Sequence, residues 1–330
     1  AAGYDESSGS SKLEKWNLDK SERVTFFSGY YGKITDMQSD TAGKYLITDG
    51  PGIYMGAYDL EKMKSDYFKD TSGNGIITCF SPDGKTILTN SPSKETLPGV
   101  NIINFSEFLK NNSRYENSSL QVAKFSRDGK YLLLTVEVVD SDDNEGYIYD
   151  DVLIRWPDQK IIFTNLKAGK ADVEFVPGGQ YYIKGLKKFS LADGRPTEEL
   201  EGSLWNLLDL AVSNDGKYIA ACVMDGQVYR NRTAGIFTGI SWFAESFDGG
   251  NKSWSGVAIN GTGNEIFAAM NGGDIWCANY NETSWNWSSQ NTRTWTGIAC
   301  SANGQYIAAC DGGAGVHGGY IYISKDGGVN

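Results

Sequence analysis

A strand–turn–strand pattern recurs along the whole chain and limits the possible folds more than any other feature. Each copy is a short apolar segment, a turn rich in serine, aspartate or asparagine, and glycine, and a second apolar segment. The seven copies span 34–48, 76–89, 122–135, 173–184, 210–221, 257–269 and 298–309. Their turn glycines, from Gly43 to Gly304, lie 37 to 50 residues apart, close to the ~40–50 residues of a four-stranded propeller blade.

A third strand is indicated after most of these hairpins by a glycine, an apolar residue and an aromatic residue in close succession. This signature occurs at 52–54, 146–149, 226–229, 273–276 and 319–322. The copies at 75–91 and 173–184 match it poorly. Asp-Gly and Asn-Gly pairs supply the positive φ that tight hairpin turns need. We therefore predict an all-β chain that forms a seven-bladed β-propeller of four-stranded antiparallel blades.

The repeats also predict the domain organisation. They fill the chain, so we expect a flexible N-terminal segment at 1–12 and a single propeller at 13–330. The last repeat, 295–328, shows only three strands. Segment 13–18, LEKWNL, precedes the first repeat and is expected to close the ring as the fourth strand, because an open ring would leave an edge strand exposed.

The charge balance and the first residues indicate which classes of partner to expect and where the protein is located. Thirty Lys and Arg against 41 Asp and Glu give a formal net charge of −11, whereas a duplex-binding protein needs a basic face. No apolar run approaches the ~18 residues of a membrane-spanning helix. The small, polar start at Ala1 indicates a processed terminus with the signal peptide removed, and hence a secreted protein.

Three of the turns resemble those of a known class of repeat. SPDGK at 81–85, SRDGK at 126–130 and SNDGK at 213–217 are similar to the turns of WD40-like and TolB-type propellers. The resemblance implies the propeller fold and says little about function, because propellers include enzymes, lectins and scaffolds.

The last third of the chain resembles the Asp-box (BNR) repeats of sialidase-like propellers. The matching residues are Ser246, Asp248 and Gly250, and then Ser324, Asp326 and Gly328. Sialidases also use an arginine triad, a Tyr–Glu pair and an early FRIP-like motif, and no FRIP-like motif is present. The resemblance therefore implies structural turns without sialidase activity.

Few residues carry recognisable catalytic chemistry, and we predict no catalytic residue. The single histidine, His317, lies in a glycine-rich loop without a visible partner. There is no G-x-S-x-G elbow and no haem-attachment C-x-x-C-H motif. The five cysteines all lie in predicted strands and are interpreted as small buried hydrophobes. An enzyme of the glycosidase type, with paired carboxylates at the centre of the ring, stays an alternative.

We predict no cofactor, and one acidic loop suggests calcium as the alternative. Oxygen-bearing side chains alternate around Gly146, as in calcium-binding loops. The candidate ligands are Asp140, Asp142, Asn144, Asp150 and Asp151. A solvated acidic turn without a metal is the preferred interpretation of this loop.

Acceptor motifs for N-glycosylation are more frequent than chance predicts. Composition alone would give roughly 3–4 N-x-[ST] sequences. They begin at Asn104, Asn111, Asn117, Asn231, Asn251, Asn260, Asn281 and Asn286. All lie in predicted turns or connections, which is typical of a secreted glycoprotein, although an Asn- and Ser-rich loop composition would give the same pattern.

Tryptophan is concentrated after residue 200 and suggests a surface for sugars or partners. Trp285 and Trp287 lie in a predicted loop and are the candidates for ligand binding. Trp254 and Trp295 open first strands at matching repeat positions and are expected to pack between blades.

The functional prediction is a secreted, non-catalytic propeller. It would serve as a structural or interaction subunit of an extracellular or cell-surface assembly, with other proteins or copies of itself as partners. A carbohydrate-binding, lectin-like propeller is the first alternative and the glycosidase-type enzyme the second. Nucleic acid and a membrane span are not expected.

Overall fold

The fold is taken from a computed structural model. It describes residues 2–5, 10–17, 22–31, 36–39, 44–49, 54–59, 64–69, 78–90, 100–109, 112–116, 118–139, 146–156, 158–169, 171, 173–185, 187–199, 207–224, 226–232, 243–245, 252–280, 285–311 and 321–328. The chain divides into two compact units, one of residues 1–170 with 191–195 and one of residues 171–190 with 196–330.

Among its described residues, the first unit contains four sheets and two short helices. Its strands are β1 (Ala2–Asp5), β2 (Ser10–Asn17), β3 (Glu22–Tyr31), β4 (Asp36–Ser39), β5 (Tyr45–Asp49), β6 (Tyr54–Asp59), β7 (Lys64–Lys69), β8 (Thr78–Phe80), β9 (Thr86–Thr89), β10 (Asn101–Asn104), β11 (Ser119–Phe125), β12 (Tyr131–Val139), β13 (Tyr147–Arg155) and β14 (Lys160–Asn165). The helices are α1 (Ser106–Leu109) and the 3₁₀ helix η1 (Ser113–Tyr115). The sheet orders are β1-β2-β3, β4-β5-β6-β7, β10-β9-β8 and β11-β12-β13-β14.

The second unit contains the remaining repeats. Its strands are β15 (Val173–Phe175), β16 (Tyr181–Lys184), β17 (Lys187–Ser190), β18 (Pro196–Glu199), β19 (Leu207–Val212), β20 (Tyr218–Val223), β21 (Val228–Arg232), β22 (Phe243–Glu245), β23 (Trp254–Ile259), β24 (Glu265–Tyr280), β25 (Trp285–Cys300), β26 (Ile307–Asp311) and β27 (Ile321–Ser324). Strands β15–β18 and β19–β22 form two four-stranded antiparallel sheets in chain order. Strand β25 pairs first with β24 and then with β26, so it passes from one repeat to the next.

All seven hairpins predicted from the repeat are present and antiparallel. They are β4–β5, β8–β9, β11–β12, β15–β16, β19–β20, β23–β24 and β25–β26. Four of the sheets have the up-and-down order of four antiparallel strands that the repeat predicts. The alternation of apolar residues on either side of a glycine turn is thus sufficient to define each hairpin.

The chain start differs from the prediction in two respects. Residues 1–12 are not simply a flexible segment, because Ala2–Asp5 pairs with Ser10–Leu13. Segment 13–18 is not the missing strand of the last repeat, because β2 is the middle strand of its sheet and both of its edges already pair, with β1 and with β3. An additional N-terminal sheet therefore stands outside the seven repeats.

The second repeat departs from the antiparallel blade. Strand β10 pairs with β9 in parallel, with Asn101 opposite Thr86 and Asn104 opposite Thr89. A parallel partner needs a long connection between the two strands, and residues 90–100 separate β9 from β10 in the sequence. This explains why the copy at 75–91 lacks the third-strand signature.

Both units bury apolar side chains between their sheets. In the first, Leu132, Leu134, Val152 and Ile154 are fully buried and pack with Trp156. In the second, the predicted burial of two tryptophans is confirmed.

Trp254 and Trp295 are 2% and 1% exposed. The indole Nε1 of Trp254 donates to the Gly226 carbonyl at 3.1 Å, and Trp295 meets the ring of Tyr322 edge-on at 5.2 Å. These rings fill the core at the start of two first strands. Neither of the helices that the structure describes has the length and apolarity needed to cross a bilayer.

Candidate interaction surface

The Ser-x-Asp-Gly turn of the repeat is a closed hydrogen-bond network. In the third copy, Ser126 Oγ donates to Asp128 Oδ1 at 2.8 Å and accepts from the Tyr131 amide at 2.9 Å. Asp128 Oδ1 also accepts from the Lys130 amide at 3.1 Å. Gly129 adopts φ +69°, which a side chain disfavours. Serine, aspartate and glycine at this spacing are therefore explained by the turn itself.

The same geometry recurs in three other copies. Ser81, Ser213 and Ser301 each donate at 2.6 Å to the side chain two residues later, which is Asp83, Asp215 and Asn303. The Ser81 hydroxyl lowers the pKa of Asp83. Burial raises the pKa of Asp128 and of Asp215, and the hydrogen bonds outweigh it, so that both pKa values end below the ordinary value. These carboxylates therefore serve the turns as anions.

The second Asp-box match forms a related turn. Ser324 Oγ donates to Asp326 Oδ1 at 2.8 Å and accepts from the Gly328 amide at 2.9 Å. Gly328 lies against Cys277: a Cβ on this glycine would be 2.5 Å from the Cys277 sulfur. The first match, at 246–250, lies outside the described residues.

Backbone bonds link the turns of successive repeats in the second unit. The Asp215 amide donates to the Gly261 carbonyl at 3.0 Å, and the Gly261 amide donates to the Ala302 carbonyl at 2.7 Å. Between the first strands of two repeats, Asp209 Oδ2 accepts from the Val257 amide at 2.9 Å. Sequence analysis missed Asp209, although an aspartate within the apolar strand LLDLAV was a usable signal. The turn end of these sheets is thus occupied by internal contacts.

The opposite end of the β11–β14 sheet exposes large apolar side chains. Strands β12 and β13 have nine residues each, and their last cross-strand pair is Val139 with Tyr147. Val139 is 61% exposed and Tyr147 is 67% exposed. Directly opposed residues lie on the same face of a sheet, so this pair forms one apolar feature at the end of the two strands.

A third exposed apolar residue lies at the same end. Leu166, which follows β14, is 54% exposed. Its loop is fixed to β13, because the Lys167 amide donates to Asp150 Oδ1 at 2.9 Å and the Ala168 amide donates to the Tyr149 carbonyl at 2.7 Å. We call Val139, Tyr147 and Leu166 the hairpin-end patch. Sequence analysis missed it, and the unusual length of the apolar run YLLLTVEVV was the signal.

Asp150, one of the predicted calcium ligands, has a structural role beneath this patch. It is fully buried and accepts from Arg114 Nε at 2.5 Å and Nη2 at 3.2 Å. Burial first, and then the charge of Asp150, raise the pKa of Tyr115 to about 12. Asp150 therefore joins η1, β13 and the loop after β14.

Asp150 and Asp151, the two predicted calcium ligands that the structure describes, do not share a site. Asp150 and Asp151 are consecutive in a strand, so their side chains point to opposite faces, and Asp151 Oδ1 accepts from Thr135 Oγ1 at 2.8 Å. Asp140, Asp142 and Asn144 lie outside the described residues. Within the part of the chain that the structure describes, no three His, Cys, Asp or Glu side chains are grouped to hold a metal ion.

The glycosylation candidates fall in several environments. Asn104 ends β10 and its Oδ1 accepts from the Ser106 amide at 3.0 Å. Asn231 and Asn286 lie in strands β21 and β25, not in the predicted turns. Asn260 is buried, and its Nδ2 donates to Asn264 at 2.8 Å and to Glu265 at 2.6 Å. A glycan on Asn260 would break both bonds, so we do not retain this residue as an acceptor.

The remaining four acceptors lie outside the described residues. They are Asn111, Asn117, Asn251 and Asn281. His317 also lies outside the described residues.

The two candidate ligand-binding tryptophans lie in a strand and not in a loop. Trp285 pairs with Tyr280 and Trp287 pairs with Ala278. Strand β24 runs on to Tyr280, so only residues 281–284 remain for the connection. Their role in ligand binding stays a prediction.

All five cysteines are free, and three are buried. Burial raises the pKa of Cys277 to about 12 and that of Cys300 to about 11, with a smaller contribution from Glu265 in both cases. Burial also raises the pKa of Cys79. The interpretation as small buried hydrophobes agrees with the burial of Cys79, Cys222 and Cys277, whereas Cys300 and Cys310 are partly exposed.

Comparison with known proteins supports the repeat. Residues 194–229 match the WD40 family, described as WD domain, G-beta repeat. A comparison with curated protein sequences finds no match.

Two solved structures are similar along nearly the whole chain. Hydrazine synthase from Kuenenia stuttgartiensis has 11% identity and a TM-score of 0.55, over 98% of this chain and 93% of that chain. The β-propeller domain of Cps50 (Swd1) from Myceliophteria thermophila has 13% identity and a TM-score of 0.48, over 98% of this chain and 95% of that chain. The four-stranded antiparallel sheets, the repeat match and the likeness to the first of these structures together show a β-propeller fold with WD40-like repeats.

Proposed function

We propose that this protein is a secreted, non-catalytic β-propeller that serves as an interaction subunit of an extracellular or cell-surface assembly. The hairpin-end patch is the observation that carries the proposal. Its three side chains are 54–67% exposed, and exposed apolar side chains at one place mark interaction sites on soluble proteins. Tyrosine is also enriched among the residues that anchor protein interfaces.

A non-catalytic role is supported by how the acidic side chains are used. Asp83, Asp128 and Asp215 hold turns, Asp209 joins two repeats, and Asp150 holds Arg114. Catalytic carboxylates of glycosidases instead need to be paired across a substrate cleft. The name of the hydrazine synthase neighbour denotes an enzyme, but at 11% identity the likeness concerns the fold.

Secretion is supported by the excess of sequence motifs for N-glycosylation and stays a proposal from sequence. The hairpin-end patch is compatible with two kinds of partner, which are other proteins and further copies of the same chain. Carbohydrate binding through Trp285 and Trp287, and calcium at Asp140, Asp142 and Asn144, also stay predictions from the sequence.

Site-specific photo-crosslinking in the native host tests the proposal. A photoreactive phenylalanine derivative would replace Tyr147, and in a matched control it would replace Ile161, which is 39% exposed at the other end of the same sheet. We expect a discrete protein adduct from position 147, recovered outside the cell, and none from position 161. The absence of an adduct at 147, or turnover of a glycoside by the pure protein, would contradict the proposal.

A further inference from the structure

We propose that Asn271 is a site of spontaneous deamidation, which converts its side-chain amide into a carboxylate as the folded protein ages. The inference goes beyond the proposed interaction function and does not depend on it. It rests on a comparison of the Asn-Gly pairs that the structure describes, because the same two residues are held very differently at each of them.

The reaction needs only the chain itself and water. The backbone nitrogen of the glycine attacks the side-chain carbonyl carbon of the asparagine, a C–N bond forms, and the side-chain nitrogen leaves as ammonia with the proton of the backbone amide. Water then opens the cyclic succinimide to aspartate or isoaspartate. Glycine favours the attack because it has no Cβ and adopts many backbone angles freely. The pair reacts fastest where neither the side chain nor the backbone amide is held by other contacts.

One Asn-Gly pair is protected by burial. The pairs in the sequence begin at Asn74, Asn260, Asn271 and Asn303, and the first of them lies outside the described residues. Asn260 is only 4% exposed, and its Nδ2 donates to Glu265 Oε2 at 2.6 Å. The Gly261 amide donates to the Ala302 carbonyl at 2.7 Å. Attack would have to break both of these bonds inside the protein.

The pair of Asn303 and Gly304 is closed by its turn. Asn303 is exposed, but its Oδ1 accepts from Ser301 Oγ at 2.6 Å and from the Gln305 amide at 3.1 Å. The Gly304 amide donates to the Ser301 carbonyl at 2.9 Å. Both reacting groups are therefore engaged, although the asparagine itself is accessible to water.

Asn271 and Gly272 are both exposed and are held far less tightly. The Asn271 side chain makes no hydrogen bond to any residue that the structure describes. The pairing of β24 with β25 shifts register between Asn271 and Gly273, and the extra residue at such a shift is left unpaired. The side-chain carbonyl and the Gly272 nitrogen can therefore approach each other without breaking a cross-strand pair.

The space around Gly272 also leaves room for the cyclic intermediate. Gly272 has φ +73°, and a Cβ built on it would meet no described residue within 4 Å apart from its chain neighbours. A Cβ on Gly261 would lie 2.7 Å from the Ala302 carbonyl oxygen, and one on Gly304 would collide with the Glu265 carboxylate. Of these three glycines, only Gly272 has free volume on its side-chain side.

The product should be tolerated by the fold. Deamidation adds one negative charge to a chain whose formal net charge is already −11. Isoaspartate also inserts a methylene group into the backbone, at a point where the strand register is already irregular. We therefore expect folded protein that differs in charge and accumulates with age.

Peptide mapping of the aged protein tests the inference. The purified full chain is incubated in mildly alkaline buffer, and mass spectrometry follows asparagine, aspartate and isoaspartate at positions 260, 271 and 303. In the native protein we expect Asn271 to convert about tenfold faster than Asn303, whose reacting groups must first give up their hydrogen bonds. In guanidinium, where the fold no longer distinguishes the pairs, the three rates should become similar.

Two variants change the reaction in opposite directions. Gly272→Ala places a Cβ in open space and should slow conversion of Asn271 several-fold, and a melting curve checks that the variant folds. Ser301→Ala removes the hydroxyl that binds Asn303 Oδ1 and should speed conversion of Asn303 several-fold. Asn271 is the internal reference in the second variant, because a general loosening of the fold would raise both rates.

Three results would overturn the inference. The first is conversion of Asn260 or Asn303 as fast as Asn271 in the native protein. The second is the same lead of Asn271 in guanidinium, which would assign the rate to the neighbouring sequence and not to the structure. The third is aspartate without isoaspartate at position 271, which would exclude the cyclic intermediate.

Discussion

Arg114 and Asp150 form an ion pair between the 3₁₀ helix η1 and the centre of β13, with 2.5 Å between Nε and Oδ2. The Asp150 side chain is fully buried, whereas about a third of the Arg114 side chain is exposed. The same carboxylate accepts from the Lys167 amide and so fixes the loop that carries Leu166. One buried charge therefore supports both the core of the sheet and the patch at its end.

Replacing Asp150 by asparagine should destabilise the protein by roughly 1–3 kcal/mol, because a charged hydrogen-bond acceptor is lost inside the sheet. The Arg114 side chain is 34% exposed and can still be hydrated, which keeps the cost below that of a fully buried pair. Urea titration measures the change. Arg155→Ala is the control: its pair with Asp158 lies at the surface, so the unfolding midpoint should not move. Equal effects of both substitutions would contradict the structural role of Asp150.

Two glycines with the same backbone conformation should respond differently to alanine. Gly178 and Gly216 have φ of +65° and +69°, but only a Cβ on Gly216 would collide with the carbonyl oxygen of Pro177. We expect Gly178→Ala to cost about 1–2 kcal/mol through backbone strain alone, and Gly216→Ala to cost clearly more. Thermal denaturation of the two variants side by side provides the comparison. A smaller effect at Gly216 would show that the turns are not packed as described.

The turn aspartates predict a specific loss of stability in acid. The pKa values of Asp83, Asp128 and Asp215 are lowered in the folded protein, so their contribution to stability is present above about pH 3.9, the ordinary pKa of an unfolded aspartate. It is lost as the pH falls through the lower, folded pKa values. The melting temperature should therefore drop steeply below about pH 4.

The corresponding triple variant, with asparagine at these three positions, isolates their share of that drop. It should start from a lower melting temperature at pH 7 and lose less of it between pH 5 and pH 2.5 than the wild type does. Parallel pH profiles of the two proteins would indicate that other carboxylates cause the acid transition.

The thiols whose pKa is raised should be protected in the folded state. Burial raises the pKa of Cys277 to about 12 and that of Cys300 to about 11, and it also raises the pKa of Cys79. Since the thiolate is the reactive form, a disulfide reagent at pH 8 should react slowly with these residues in the native protein. Five thiols should react promptly in guanidinium. Rapid native labelling at Cys277, located by mass spectrometry, would contradict this environment.

The sequence predicts the hairpins well because each is encoded locally. Serine, aspartate and glycine within four residues are enough to close a turn such as that from Ser126 to Gly129, and the flanking apolar alternation fixes the strands. The parallel pairing of β10 could not be predicted in this way, because it depends on where a long connection returns the chain. The pairing of β2 could not be predicted either, because its own residues do not determine which of two possible sheets it joins.

The candidate site was harder to predict because exposure is not a local property. Asp150 and Asp151 looked like metal ligands as an acidic pair, and strand alternation instead turns them to opposite faces. Trp285 and Trp287 were assigned to a loop because the residues around them are polar and give no sign that β24 extends to Tyr280 and pairs with them. Val139 and Tyr147 looked like ordinary strand residues, and only the length of their hairpin relative to the rest of the sheet leaves them uncovered.

The backbone hydrogen bonds from Asp215 to Gly261 and from Gly261 to Ala302 have a consequence for the evolution of the number of repeats. In both, the acceptor is the carbonyl of the second residue of the turn. If one whole repeat is removed or duplicated, the turn of the next repeat still offers an equivalent carbonyl to the amide of the preceding turn. If only part of a repeat is removed, that amide loses its hydrogen-bond acceptor. Insertions and deletions in this protein should therefore comprise whole repeats.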